Sequence, residues 1–217
     1  MKKSKWFFPV TDTDSAKEAI KMAYQTAFAL AAIQAVLVGF LSWSNPALAV
    51  NLADSLFMVA LGLILRNRLS RFAALTLFLY SIFIAYFTFA ARAGIATVGY
   101  GGKNTILAVL FLYASYKGVQ GTFGFHRIHK TRTNIKSILF LSAIIFGYTI
   151  LVTAIYIGVM LIPQVESTFE NMSESLMGAL WLVPVITVIL LGTLKLLPGT
   201  KSIKVVQDAD KHSMFKS

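Results

Sequence analysis

Residues 72–91 read FAALTLFLYSIFIAYFTFAA, with no charged side chain between Arg71 and Arg92. Such a stretch is long enough to cross a bilayer as an α-helix, which takes about 20 apolar residues. Apolar residues make up 57% of the 217-residue chain and charged residues 13%, against roughly 25% charged in soluble proteins. The sequence therefore predicts an all-α polytopic membrane protein and excludes a water-soluble enzyme. Three more stretches lack Asp, Glu, Lys and Arg, namely residues 22–53, 137–165 and 175–194.

Helix-ending residues divide the chain into six predicted transmembrane helices. Asn45-Pro46 is typical of a helix start, because proline lacks the N–H that a first helical residue leaves unpaired. The glycine-rich run at residues 99–102 indicates a turn, and Pro163 and Pro198-Gly199 indicate helix ends. The predicted helices span residues 22–43, 46–65, 72–97, 104–125, 137–162 and 175–197.

Composition groups these helices into a four-helix core and a C-terminal hairpin. Helices 1–4 end in a basic segment with two histidines, whereas helices 5 and 6 flank an acidic loop at residues 163–175. Ser15 and Glu18 fit a capping box, which would start helix 1 in the headgroup region before it enters the bilayer. We therefore predict an N-terminal interfacial segment, a four-helix module, a two-helix hairpin and a basic tail, at residues 1–21, 22–130, 131–197 and 198–217.

Positive charge is distributed unevenly over the predicted loops. With six spans, 18 of the 20 Lys and Arg residues lie on one side, leaving Arg92 and Lys103 on the other. Because Lys and Arg are enriched in cytoplasmic loops, this distribution predicts that both termini are cytoplasmic. The net charge of +11 then indicates contact with anionic lipid headgroups rather than with nucleic acid.

Asp54 is the one acidic residue inside a predicted span. A carboxylate in a transmembrane helix costs about 2.5–3.5 kcal/mol on insertion scales, so it should face the bundle interior beside a partner. The candidate cations are Arg92, Lys103 and Lys117, and Gln34 of helix 1 could join the polar cluster. We favour a structural ion pair with Arg92, because one carboxylate is a poor relay. In this structural reading the helix could start nearer Asn51, so that Asp54 lies in its first turn and complements the dipole. An ion, proton or substrate site is the alternative.

Small residues recur at every fourth position of helix 1, at Ala23, Ala27, Ala31, Ala35 and Gly39. Positions four apart lie on one helix face, and small residues there let a second backbone approach closely. The stripe therefore predicts a packing face, used either inside the bundle or in an oligomer.

The segment after helix 4 is basic and contains His126 and His129, which are three residues apart and can share a helix face. A zinc site needs a third and usually a fourth ligand, and neighbouring cations would repel the metal. We therefore predict no metal site and expect the segment to contact anionic headgroups or a protein partner. Its members are His126, Arg127, His129, Lys130 and Arg132.

Three motifs resemble those of a recurrent four-helix module of bacterial inner-membrane proteins. In that module an Asp opens helix 2, a short basic turn joins helices 2 and 3, and a G-V-x-[GA]-T-F-x-[FY]-H string ends helix 4. The resemblance covers about residues 9–130 and implies a topology and a bacterial inner-membrane location, but no activity. The matching stretches here are NLADSL at residues 51–56, RNRLSR at residues 66–71 and GVQGTFGFHR at residues 118–127.

The function that the sequence predicts is non-enzymatic. The chain has no cysteine, nucleophile elbow, phosphate loop or paired carboxylates, and its short loops leave little room for a soluble catalytic site. We expect a multi-pass component of the bacterial inner membrane, a subunit, sensor or scaffold without a cofactor, that acts through helix packing and a basic cytoplasmic face. It would work as a homo-oligomer or with a protein partner. A small channel or transporter with a polar site at Asp54 is the alternative, and an enzyme acting on lipids is less favoured.

Overall fold

The computed structural model describes residues 9–43, 52–94, 104–129, 134–160, 180, 182–194 and 196–197. Within these ranges the chain forms six helices and no strands, which confirms the all-α class. Three of them are long and apolar enough to cross a membrane: α1, α3 and the Ile135–Ile155 part of α5. The helices are α1 (Thr13–Ser42), α2 (Leu52–Arg68), α3 (Arg71–Arg92), α4 (Thr105–Ile128), α5 (Ile135–Met160) and α6 (Leu182–Thr193).

Two helix ends differ from the predicted ones for local reasons. α1 begins at Thr13 because Asp12, not Ser15, is its N-cap: the Ser15 N–H donates to Asp12 Oδ1 at 2.7 Å and Asp12 N–H donates to Ser15 Oγ at 3.1 Å. α3 ends at Arg92 rather than at residue 97, because Gly94 has φ +70°, a left-handed conformation that ends helices. The predicted ends at residues 45–46, 99–102, 163 and 198–199 lie outside the described residues.

The helices share one main buried core. α1 packs on α4 and α2, and α3 packs on α4, α5 and α2. Leu61 of α2, Phe72 of α3 and Phe111 of α4 are fully buried at its centre. Ile138 of α5 and Val188 of α6 belong to the same cluster, so the C-terminal helices contact the core that α1–α4 form. The division into a module and a separate hairpin stays a prediction.

The outer surface of this bundle is apolar. Val36, Phe40 and Trp43 of α1 are 72%, 80% and 93% exposed, and Ile106 of α4 is 72% exposed. Large apolar side chains at such density would be an aggregation liability in water, whereas lipid tails solvate them. The exposed residues therefore support the membrane environment that the three apolar spans indicate.

α1 and α4 approach so closely that glycine is required between them. A Cβ atom added at Gly118 would lie 2.5 Å from Ala23 Cβ, and one added at Gly121 would lie 2.7 Å from the Ala16 carbonyl oxygen. Carbon atoms in contact prefer separations of about 3.5–4.0 Å, so neither position has room for a methyl group. We call this interface the α1–α4 seam. Its α1 side includes Ala16, Ala19, Ile20 and Ala23, each at most 1% exposed.

The predicted small-residue stripe only partly coincides with this seam. Ala23 is buried in it and Ala27 and Ala31 are buried in the bundle, but Ala35 is half-buried and Gly39 is exposed, with nothing within 4 Å of an added Cβ. The buried face instead continues in the other direction, to Ala16. The packing face thus serves the bundle interior along the N-terminal two thirds of α1.

Pro184 creates a polar contact between α5 and α6. Proline has no N–H, so the carbonyl of Leu180, four residues earlier, lacks its helical donor. The Tyr148 hydroxyl of α5 donates to that carbonyl oxygen at 3.1 Å. A hydrogen bond from another helix therefore satisfies the backbone group, which would be costly to leave unpaired in an apolar environment.

Candidate functional site

Asp54 lies in the first described turn of α2, where a carboxylate complements the helix dipole. Its side chain is hydrogen-bonded to Tyr80 of α3 and Gln34 of α1. The Tyr80 ring, 4% exposed, also contacts the Phe57 ring edge-on, with ring centroids 5.3 Å apart. A tyrosine hydroxyl and a side-chain amide thus meet one carboxylate where three helices converge. We call Gln34, Asp54 and Tyr80 the polar triad.

Tyr80 of the polar triad lies near the middle of α3. Tyr80 is nine residues after Arg71 and twelve residues before Arg92, which are the two charged ends of α3. At 1.5 Å per residue, these separations are about 14 Å and 18 Å along the helix axis. A bilayer core is about 30 Å thick, so the Tyr80 backbone lies close to mid-depth.

A small cavity adjoins the polar triad. Its volume of about 10 Å³ is close to what one water molecule requires. Asp54 and Tyr80 form its polar side, and Thr149 of α5 and Pro184 of α6 bring two further helices to it. Five helices thus supply the triad and the cavity wall. Ala53, Phe57 and Val185 complete the lining.

In the described part of the chain, the predicted cations Arg92 and Lys117 are not the side-chain hydrogen-bond partners of Asp54. Among the residues that the structure describes, the hydrogen-bond partners of Asp54 are both neutral. Arg92 is exposed at the far end of α3, and Lys117, 8% exposed, lies with its Nζ 5.8 Å from the Tyr113 ring centroid. Lys103 lies outside the described residues. The structure therefore joins Asp54 to Gln34, as the sequence suggested, and to Tyr80, which the sequence did not single out.

A second polar cluster lies at the opposite end of α3, at the turn between α2 and α3. Leu69 there has φ 47°, an unusual left-handed conformation for a branched residue, and Ser70 caps α3 by accepting from Ala73 N–H at 3.3 Å. The ring of His126, 1% exposed, has its Nε2 3.1 Å from the Leu69 carbonyl oxygen. Because a carbonyl only accepts, His126 Nε2 carries the proton. The end of α4 thus holds the turn in place.

His126 therefore lies inside the bundle rather than on a lipid-facing surface. Burial lowers its pKa below the ordinary value of 6.5; the Leu69 hydrogen bond opposes this, and the charges of Arg71 and His129 lower it further. His126 lies just beyond the predicted span at residues 104–125, and its imidazole is neutral at neutral pH. Arg127 is exposed, as the basic-face prediction requires, whereas Lys130 and Arg132 lie outside the described residues.

Arg71, the first residue of α3, is only 6% exposed. Its guanidinium carbon lies 5.7 Å from the centroid of the Phe123 ring. Within the described part of the chain, neither Nε nor Nη2 of Arg71 has a hydrogen-bond partner, and the same holds for Nε2 of His129, whose ring lies 4.4 Å from that of Phe125. Arg71, His126 and His129 form what we call the cytoplasmic cluster, a name that assumes the predicted orientation.

The cytoplasmic cluster joins two of the motifs that carry the family resemblance. The turn at residues 66–71 supplies Leu69 and Arg71, and the string at residues 118–127 supplies Phe123 and His126. Over the described ranges, no group of three His, Cys, Asp or Glu side chains is placed to hold a metal ion. The Arg71 guanidinium gives the cluster a positive charge, and its donor geometry suits an anion.

No family model matches this chain, and neither a curated protein nor a solved structure is significantly similar to it. The possible functions therefore follow from the polar triad, the cytoplasmic cluster and the α1–α4 seam themselves.

Proposed function

We propose that this protein is a multi-pass component of the bacterial inner membrane, with six spans and both termini in the cytoplasm. It acts as a subunit, sensor or scaffold whose basic cytoplasmic face binds anionic lipids or an acidic protein partner. The observation that carries the proposal is the hydrogen bond by which His126, near the end of α4, holds the α2–α3 turn. Arg66 and Arg68 flank this turn, and Arg127 follows His126, with Arg66 and Arg127 exposed. The sequence has no Asp or Glu between Asp54 and Glu166 to neutralise this face.

The topology is tested first. The native chain has no cysteine, so single cysteines report without background. Cysteines replacing Gly101 and Ser167 should react with a membrane-impermeant thiol reagent in intact cells, and one replacing Ser213 should react only after lysis. Labelling of the Ser213 position in intact cells would overturn the proposed orientation.

The role of the basic face is tested by charge removal at matched positions. The triple variant Arg66→Gln, Arg68→Gln, Arg127→Gln should lose co-purifying partners and most of its salt-dependent affinity for anionic vesicles, because it removes three charges from one face. Arg92→Gln, at the other end of α3, is the control and should keep both. If the triple variant retains the same partners and the same vesicle affinity as Arg92→Gln, the basic face does not carry the function.

A second candidate function is a proton or ion site at Asp54, favoured by the neutral partners of this carboxylate and the water-sized cavity beside it. Intramembrane carboxylates without a cation commonly mark ion or proton pathways. Asp54→Asn should fold normally, because an amide can bond to Tyr80 and Gln34, and should abolish proton or cation flux in reconstituted vesicles. Asp14→Asn, on the exposed start of α1, is the control.

If Asp54 instead forms the structural ion pair predicted from the sequence, Asp54→Asn should not fold normally. In that case Asp54→Asn lowers the free energy of unfolding and Arg92→Gln restores it, because removing both charges avoids an unpaired one. Vesicles in which neither the native protein nor Asp54→Asn conducts would exclude the flux function.

A further inference from the structure

Arg71 is buried in a way that a cation does not tolerate alone. Removing an ion from water costs several kcal/mol unless nearby groups replace the lost hydrogen bonds. The Phe123 ring is a weak substitute, since it faces the guanidinium at 5.7 Å and satisfies no N–H. Nε and Nη2, the two nitrogens without a partner among the described residues, form one edge of the guanidinium. That edge is the fork that binds carboxylate and phosphate with two parallel hydrogen bonds.

The protein offers this fork little negative charge. Residues 55–165 contain no Asp or Glu, which removes α3, α4 and α5 as sources. Asp12, Asp14 and Glu18, at the start of α1, are exposed to solvent. The helix dipole adds to the imbalance, because Arg71 occupies the first position of α3, where the peptide N–H groups already make the potential positive.

The surroundings of Arg71 indicate what kind of anion completes the site. Phe123 covers one side of the guanidinium, Ile128 is 41% exposed on the same end of α4, and the apolar run of α3 begins at Phe72. The site thus lies where the apolar layer ends, which is the depth of lipid phosphates. The His129 ring packs on Phe125, and its Nε2 is a third nitrogen without a hydrogen-bond partner among the described residues. His129 lies close enough to His126 to influence it electrostatically.

We propose that Arg71 binds the phosphate of an anionic phospholipid from the cytoplasmic leaflet, with its Nε and Nη2 donating to two non-bridging oxygens and His129 donating to the same group. This deepens the proposed function, on whose orientation it rests, by adding one specific lipid site to a generally basic face. The half-buried Phe123 ring has to rotate outward to admit the phosphate.

The test measures lipid-dependent stability of the full chain in a neutral detergent. Adding phosphatidylglycerol should raise the Tm of the native protein, and adding phosphatidylcholine or inorganic phosphate at the same concentration should not. Arg71→Met keeps the packing volume and removes the fork, so the affinity for phosphatidylglycerol should fall at least about tenfold. Arg92→Met removes an exposed charge at the other end of α3 and should change it less than about twofold.

Other results of this test would show that a different anion, or no anion, binds the Arg71 fork. A Tm response to inorganic phosphate equal to that of the lipid would replace the lipid with a soluble phosphate compound. A lipid response that appears or grows only in the Asp208→Asn, Asp210→Asn variant would indicate that carboxylates of the C-terminal tail occupy the fork in the native protein, and would overturn the proposal. Equal lipid affinity of Arg71→Met and the native protein would also overturn it. If Arg71→Met fails to fold, His129→Gln and Arg71→Lys should each weaken the lipid response. Failure of this proposal can be distinguished from failure of the proposed function. If the triple variant loses salt-dependent vesicle binding but Arg71→Met keeps its lipid affinity, the basic face binds lipid and Arg71 does not form a specific site.

Discussion

Replacing Gly118 by alanine tests the closest approach in the bundle. The new methyl carbon would lie 2.5 Å from Ala23 Cβ, about 1 Å inside the preferred carbon–carbon distance. α4 and α1 must separate locally by about that amount, and a gap of 0.5–1 Å forfeits roughly a quarter to a half of each dispersion contact along the seam. Overpacking of this kind costs about 1–3 kcal/mol, and we expect about 2 kcal/mol for Gly118→Ala.

Gly121→Ala should be at least as damaging as Gly118→Ala. Its added Cβ would lie 2.7 Å from the Ala16 carbonyl oxygen and 2.9 Å from Ala19 Cβ. A backbone oxygen inside a helix cannot rotate away as a side chain can, so relief requires movement of α1 itself. We expect about 3 kcal/mol, at the upper end of the overpacking range.

Reversible unfolding in mixed dodecyl maltoside and SDS micelles, followed by far-ultraviolet circular dichroism, measures these differences. Gly147→Ala is the matched control, because it makes the same chemical change inside α5 with nothing within 4 Å of the new Cβ. It should be neutral or slightly stabilising, since alanine is the better helix former. Adding Ala23→Gly to Gly118→Ala should recover most of the loss. Equal stability of Gly118→Ala and Gly147→Ala would refute the close approach of α1 and α4.

Two other predictions concern polar groups. Tyr148→Phe removes the donor to the Leu180 carbonyl and should cost about 0.6–1.7 kcal/mol; the cost should shrink in a Pro184→Ala background, where residue 184 regains an N–H for that carbonyl. Absence of any coupling between the two substitutions would contradict it. For His126, whose pKa is lowered in the folded protein, the unfolded chain binds the proton more tightly, so the free energy of unfolding should fall as pH drops from 6.5 toward the folded pKa. His126→Gln should reduce this slope in pH-dependent unfolding curves, and an unchanged slope would assign it to another group.

The helices could be predicted from sequence because their formation depends on composition over many residues. An apolar run without charge must satisfy its backbone internally, and a helix does this wherever the run is long enough. Helix ends depend instead on single residues: Gly94 ends α3 early by adopting a positive φ, and Asp12 rather than Ser15 caps α1. Neither choice follows from hydropathy.

The position of Asp54 in the polar site could also be predicted, but its partners only in part. Gln34 could be predicted as a partner because it is a polar residue of helix 1. Whether Tyr80 or Arg92 of α3 meets Asp54 depends instead on the rotation of α3 and on its position along α2. A cation is the default partner of a carboxylate by charge alone. The feature that could have identified Tyr80 as a partner is its hydroxyl group, because the O–H of a buried tyrosine usually forms a hydrogen bond.

The small-residue stripe shows why one helix alone does not define an interface. Spacing of four residues correctly identified the buried Ala23 and Ala31, yet it also included Gly39, which is exposed. The extent of contact is decided by α4, whose glycines at positions 118 and 121 face α1. A glycine in one helix therefore indicates a close packing face only when a residue of a second helix is known to approach it.

α4 links the two ends of this arrangement. On one side its glycines contact α1, and at Gly124 an added Cβ would lie 2.8 Å from Val10 Cγ1, just before α1 begins. On the other side Phe123 and His126 contact the α2–α3 turn. Because packed helices shift as rigid elements, a force on the N-terminal segment near Val10 reaches the His126–Leu69 hydrogen bond through less than one turn of α4. A partner bound to the basic face, as proposed above, would therefore act less than one turn of α4 away from the Val10 contact.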